Sequence, residues 1–167
     1  MSRKLVSVIL LVFLLPLFPD NSAVAEEHNS RLQFPNDFGI ELAGKAFAYS
    51  FTYQRMMGGH LGLEGGISAL AVGDDDDNAS VIFFPLGAKL YMLGKDGSPF
   101  LTGGAVLLTA SADIGSDDAT ASTAYGYAGL GFEFRGDGGF VFRGTAYVMF
   151  PGGEFFIWPG LYVGYAF

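Results

Sequence analysis

Cysteine is absent from this chain of 167 residues, which excludes disulfides, thiolate metal sites and thiol catalysis. Charge is scarce: 16% of residues are Asp, Glu, Lys or Arg, against roughly 25% in an ordinary soluble domain. What charge there is leans acidic, 17 residues against 9 basic ones, so a nucleic-acid partner is not expected. Beyond residue 25 there is no run of about 18 apolar residues, so no membrane-spanning helix is predicted. There is no phosphate loop, zinc-ligand spacing or Gly-x-Ser-x-Gly, and no cofactor is expected. What the chain has instead is grease and glycine. Half of it is hydrophobic, 16% is aromatic, and its 25 glycines are roughly double the usual share. That mixture suits a chain with more apolar surface than a compact core requires.

Residues 1–25 read as a secretory signal: Arg3 and Lys4, an apolar run from Leu5 to Leu15, then Ala23-Val24-Ala25 as a small-residue cleavage site. The run is too short for a spanning helix, which needs about 20 residues. Without it, 7 basic and 16 acidic side chains leave a net charge of −9. Residues 26–36 are polar and read as a flexible lead-in. The rest, 37–167, is expected to be one domain.

Within that domain, eight segments of about ten residues alternate with turn chemistry. They fall at 38–45, 47–56, 60–72, 79–92, 99–111, 121–135, 140–150 and 157–167. Most alternate at period two. Phe142, Gly144, Ala146, Val148 and Phe150 oppose Arg143, Thr145 and Tyr147, and Phe47, Tyr49, Phe51 and Tyr53 oppose Ser50, Thr52 and Gln54. The final strand sets Leu161, Val163, Tyr165 and Phe167 against Gly160, Tyr162, Gly164 and Ala166. Pro85 and Pro99 fit strand ends or bulges better than a central ladder.

Alternation alone fits a soluble barrel, apolar inside, or a membrane barrel with aromatics toward lipid. The connections favour the second. Tight ones at 56–59, 94–98 and 136–139 alternate with longer ones at 73–78, 113–120 and 151–156. The longer set carries Asp74 to Asp77, Asp113, Asp117, Asp118 and Glu154, with no lysine or arginine. Arg55, His60, Lys95 and Arg135 gather near the tight set. Short turns on one side and long acidic loops on the other match periplasmic turns opposite extracellular loops. The expected fold is therefore all-β, an eight-stranded antiparallel up-and-down transmembrane β-barrel.

The stretches GIELAGKAFAYSFTYQR, FVFRGTAYVMFPGG and FIWPGLYVGYAF resemble small bacterial outer-membrane β-barrel proteins of the OmpA/OmpX-type, eight-stranded size. The resemblance implies residence in the outer membrane of a Gram-negative bacterium, with outer-membrane lipid and lipopolysaccharide as surroundings. It also implies that Leu161, Val163, Tyr165 and Phe167 form the terminal signal read by the outer-membrane assembly machinery. Some barrels of this size modify lipid A with a His, a Ser and an acid near the outer leaflet. Here His28 lies in the lead-in and His60 at a tight turn, so neither reaches the opposite rim.

On the polar faces, Glu41, Glu64 and Glu133 stand with Lys45, Lys89 and Arg143. An eight-stranded lumen is narrow enough for side chains to fill, and unpaired charge there is costly. A paired, hydrogen-bonded plug is expected, with a proton or ion path as the functional alternative. Phe155, Phe156 and Trp158, with Tyr147 and Phe150, are expected at the outer rim as an aromatic girdle or an adhesive patch. The run Asp74 to Asp77 lacks the spacing of a calcium loop and reads as a solvated tip that could share cations with lipopolysaccharide phosphates. The resulting expectation is a monomeric, non-enzymatic, porin-like membrane barrel with a structural or surface-interaction role. The competing class is a narrow channel or transporter for small hydrophobic solutes, and a soluble ligand-binding barrel comes third.

Overall fold

The computed structural model describes residues 29–74, 77–114 and 117–167, without the side chains of 72–78 and 113–118. The signal reading of residues 1–25 and His28 lie outside them. A short helix, α1 (Ser30–Gln33), precedes eight strands: β1 (Asn36–Ala43), β2 (Tyr49–Met56), β3 (Leu61–Asp74), β4 (Asp77–Tyr91), β5 (Gly97–Ile114), β6 (Asp117–Arg135), β7 (Phe140–Phe150) and β8 (Phe156–Ala166). Each strand pairs antiparallel with the next, and β8 returns to β1, so the sheet closes into an up-and-down barrel. The closing ladder runs from Asp37 opposite Ala166 to Ala43 opposite Gly160. It is extended by Asn36 and Phe167, each donating its amide to the other's carbonyl at 3.1 and 2.8 Å. Among the described residues no helix is long and apolar enough to cross a membrane, which says nothing of strands.

Side chains alternate in and out as the pleat requires. Phe142 and Val163 keep 40% and 46% of their surface exposed, whereas Arg143, the residue after Phe142, keeps 2% and its cross-strand neighbour Glu133 keeps 0%. The greasy face is outside and the charges are inside. Where the prolines sit is consistent with their missing amides. No β3–β4 pairing is made beside Pro85, between Gly65–Leu86 and Ser68–Phe83, and Pro159 lies one residue past the end of the β1–β8 ladder.

Three expectations are corrected. The connections at 73–78 and 113–120 are not long loops: the ladders continue to Asp74–Asp77 and Ile114–Asp117. An antiparallel hairpin, once started below, needs only backbone pairing to lengthen, and hydroxyl pairs such as Thr109–Ser122 at 3.0 Å add to it. β6 thus has 19 residues against 8 in β1, and the barrel has a tight-turn end and a projecting hairpin end.

The first strand begins and ends two residues earlier than predicted and the second begins two residues later, because Gly44–Ala46 leaves the sheet as a single 3-10 turn. Ala43 and Phe47 flank it at φ 55° and 66°, the two non-glycine residues of positive φ among the described residues. Such conformations cost of order 1–3 kcal/mol each and persist only where surroundings enforce them. Gly44 is required here twice over: its φ is +64°, and the Glu41 carboxylate occupies the place a Cβ would take.

The lead-in, from Asn29 onward, is folded rather than flexible. The Asn29 side chain caps α1 by accepting from the Arg31 amide at 3.1 Å, and Ser30 and Arg31 are fully buried at the tight-turn end.

Candidate functional site in the barrel interior

The interior is layered along the barrel axis. Nearest the tight-turn end, two carboxylates organise three guanidinium groups. Glu133 accepts from Arg31 Nε at 2.8 Å, from Arg143 Nε and from the Tyr91 hydroxyl at 2.6 Å. Arg135 Nε stands 3.4 Å from the same carboxylate. Asp37 accepts from Arg135 Nη2 at 2.5 Å, Arg143 Nη2 at 2.6 Å and the Tyr162 hydroxyl at 2.7 Å. Arg143 thereby bridges both acids with separate nitrogens, using the fixed fork of a guanidinium. It also lies 4.1 Å over the Tyr162 ring, as Arg31 lies 4.3 Å over Tyr91.

This layer is anchored at the tight-turn end by α1. Arg31 donates to the carbonyls of Lys95 and Asp96, Ser30 donates its amide to Asp96 at 2.9 Å, and Arg135 Nη1 donates to the Phe34 carbonyl at 2.6 Å.

The second layer surrounds Lys45, which the turn at Gly44–Ala46 carries into the lumen. Its ammonium lies 2.8 Å from Glu41 and 3.3 Å from Glu64, and Glu64 also binds Lys89. Tyr147 and Tyr127 donate to Glu41 and Glu64 at 2.6 and 3.2 Å. Glycine makes room for these rings: a Cβ on Gly104 would stand 2.7 Å from the Tyr127 hydroxyl.

Toward the hairpin end the interior turns apolar. Ala46, Phe83, Val106, Tyr125, Tyr127, Tyr147 and Met149 form a buried cluster, with Phe47, Phe156 and Trp158 packed against it. The expected plug consisted of paired charged side chains, and this apolar layer beside it was not foreseen.

Glu41, Lys45, Glu64, Lys89, Glu133 and Arg143 all project inward and are all buried, in two groups rather than one. The sequence reading missed Arg31, Asp37 and Arg135, which complete the first group, and the tyrosines that bind both. Of the residues expected at the rim, Phe155 is 72% exposed, but Phe156, Trp158 and Tyr147 turn inward. Phe47, expected outside, also points in. Leu161, Val163, Tyr165 and Phe167 all face outward. His60 sits at a tight turn with Nδ1 2.9 Å from the Tyr91 carbonyl. Asp75 and Asp76 lie outside the described residues, among which no group of three His, Asp or Glu could hold a metal ion.

No protein-family model and no characterised relative matches the sequence. Several solved structures share the fold, among them the following two. The N-terminal β-barrel domain of Pseudomonas aeruginosa OprF is similar with a TM-score of 0.57 and 14% identity, over 79% of this chain and 94% of that one. Ail, the attachment invasion locus protein of Yersinia pestis, solved with the heparin analogue sucrose octasulfate, is similar with a TM-score of 0.54 and 14% identity, over 79% and 96%. At such identity the likeness is one of architecture.

Proposed function

We propose that this chain is a non-enzymatic integral protein of a bacterial outer membrane, closed to solutes and acting in a structural or surface-interaction role. The observation that carries the reading is the inverted polarity: Glu133 and Arg143 are buried while Phe142 and Val163 are exposed. In water such an exterior would be costly, because apolar surface contributes about 25 cal/mol per Å² when removed from solvent. In a bilayer it is the ground state. Closure of the sheet supports the same reading, since an open edge in hydrocarbon would strand amides at several kcal/mol each, about.

Outer-membrane lipid and lipopolysaccharide are the immediate partners, with the tight turns periplasmic and the hairpins outward. Leu161, Val163, Tyr165 and Phe167 serve as the handle for the assembly machinery. Pairing supports a closed lumen: both carboxylate groups of the layer nearest the tight turns are bound by several donors, and moving an ion through would require breaking bonds among buried charges. The hairpin end differs from what a polyanion needs. Its residues at 73–78, 113–120 and 151–156 include eight acids and no base, so the sulfated ligand found with Ail is a poor guide to partners here.

The test is electrical. Protein refolded into planar bilayers, with folding verified by a heat-modifiable gel band, is expected to give no discrete conductance steps. Reproducible unitary steps from the folded band would overturn the closed-lumen reading.

A further inference from the structure

Phe47 is held in an unusual way. Its ring centroid lies 5.7 Å from Tyr125, 6.1 Å from Phe83, 6.1 Å from Phe156 and 6.2 Å from Trp158, so four aromatic rings enclose a fifth. The residue reaches this place only by adopting φ 66° and ψ −54°, a backbone conformation that L side chains rarely adopt. It belongs to a five-residue connection, 44–48, outside the barrel ladder, so the ring can leave without breaking a strand pair. Lys45 stays tethered to Glu41 and Glu64 next to it, which limits the movement to Ala46–Ala48.

Two polar groups around this enclosure have no partner. Trp158 Nε1 is buried in its wall without an acceptor. Ser68 Oγ is likewise unsatisfied, on a residue 1% exposed whose cross-strand neighbour is Phe83. Buried donors are ordinarily bonded, and an apolar enclosure with a few convergent polar atoms is the usual construction of a small-molecule site.

We propose that this enclosure is a binding site for a compact aromatic molecule carrying a hydrogen-bond acceptor, and that Phe47 occupies it as a built-in ligand. The guest replaces the Phe47 ring between Phe83, Tyr125, Phe156 and Trp158, and its acceptor takes the Trp158 N–H. Release of Phe47 lets its backbone relax, which favours exchange. The site lies on the hairpin side of the ionic layers, so binding requires no passage through the lumen. The inference therefore goes beyond the closed-barrel reading and does not depend on it.

Trp158 is the single tryptophan of the chain, so its fluorescence reports on the site directly. The full chain refolded in detergent micelles is titrated with acetophenone, which has one ring and one carbonyl acceptor. Saturable quenching is expected, and in Phe47→Ala about tenfold tighter, as when an open state of roughly one-tenth population becomes fully available. Toluene, with the ring but no acceptor, is expected to bind about fivefold more weakly than acetophenone. Linear, non-saturating quenching that is equal in both proteins reports micelle partitioning alone and overturns the proposal. Should Phe47→Ala fail to refold, NMR of ring-labelled wild-type protein decides: acetophenone must shift the Phe47 ring resonances saturably, and unmoved resonances overturn the site. The heat-modifiable band of the same samples tells loss of the barrel from loss of the site.

Discussion

The two halves of the lumen solve the same packing problem with different physics. Near the tight turns, Asp37 and Glu133 hold Arg31, Arg135 and Arg143 through directed bonds, and each acid serves several donors. Near the hairpins, Phe47, Phe83, Tyr125, Phe156 and Trp158 pack ring against ring with no charge between them. Dispersion contacts are weak singly and tolerant of replacement, whereas a buried ion deprived of its partner has nowhere to turn. The first half should therefore be intolerant of change and the second permissive. On the proposed readings the two differ in role as well: the ionic half would close the barrel, and the aromatic half would exchange one ring for another.

Substitutions sharpen this contrast. The largest effect is expected for Glu133→Leu, which leaves Arg135 and Arg143 sharing Asp37 and Arg31 with no carboxylate at all. A loss of about 3–5 kcal/mol is predicted, measured by urea unfolding in micelles. Arg143→Ala comes next, at about 3 kcal/mol, because Asp37 and Glu133 each keep another arginine. Its folded gel band should convert at clearly lower temperature, and an unchanged band would contradict the paired-plug account. Arg31→Ala should cost less, about 1–3 kcal/mol, since it removes donors from Glu133 and two carbonyls but no strand. Phe83→Leu, in the aromatic half, should cost under about 1.5 kcal/mol, as a hydrophobic exchange of similar size. If Phe83→Leu proves as harmful as Glu133→Leu, the two halves are not different in kind.

Most of the fold was legible because period-two alternation and turn chemistry are local signals. The strand faces of Phe142, Arg143, Phe132 and Glu133 follow directly from parity. Parity carried further would also have found more of the site. Asp37 shares the inward face of Glu41, Arg135 that of Glu133, and Tyr91 that of Lys89. Phe156 and Trp158 share the inward face of Gly160 and Tyr162, yet their aromatic character suggested a rim. Two features were hidden for physical reasons. Arg31 reaches the lumen from α1, where strand parity has no meaning. Phe47 is misplaced by parity because the positive φ values at Ala43 and Phe47 break the register between β1 and β2. The hairpin extensions were obscured by their polar composition, which the ladder tolerates once its lower rungs exist.

The absence of native cysteine makes the central claim accessible to single labels. Phe142→Cys and Thr145→Cys, on opposite faces of β7, are each coupled to a fluorophore in protein reconstituted with nitroxide-bearing lipids. Lipid tails are expected to quench the label at 142 strongly and the label at 145 weakly. Strong quenching at 145 with none at 142 would mean that the aromatic face does not meet the bilayer.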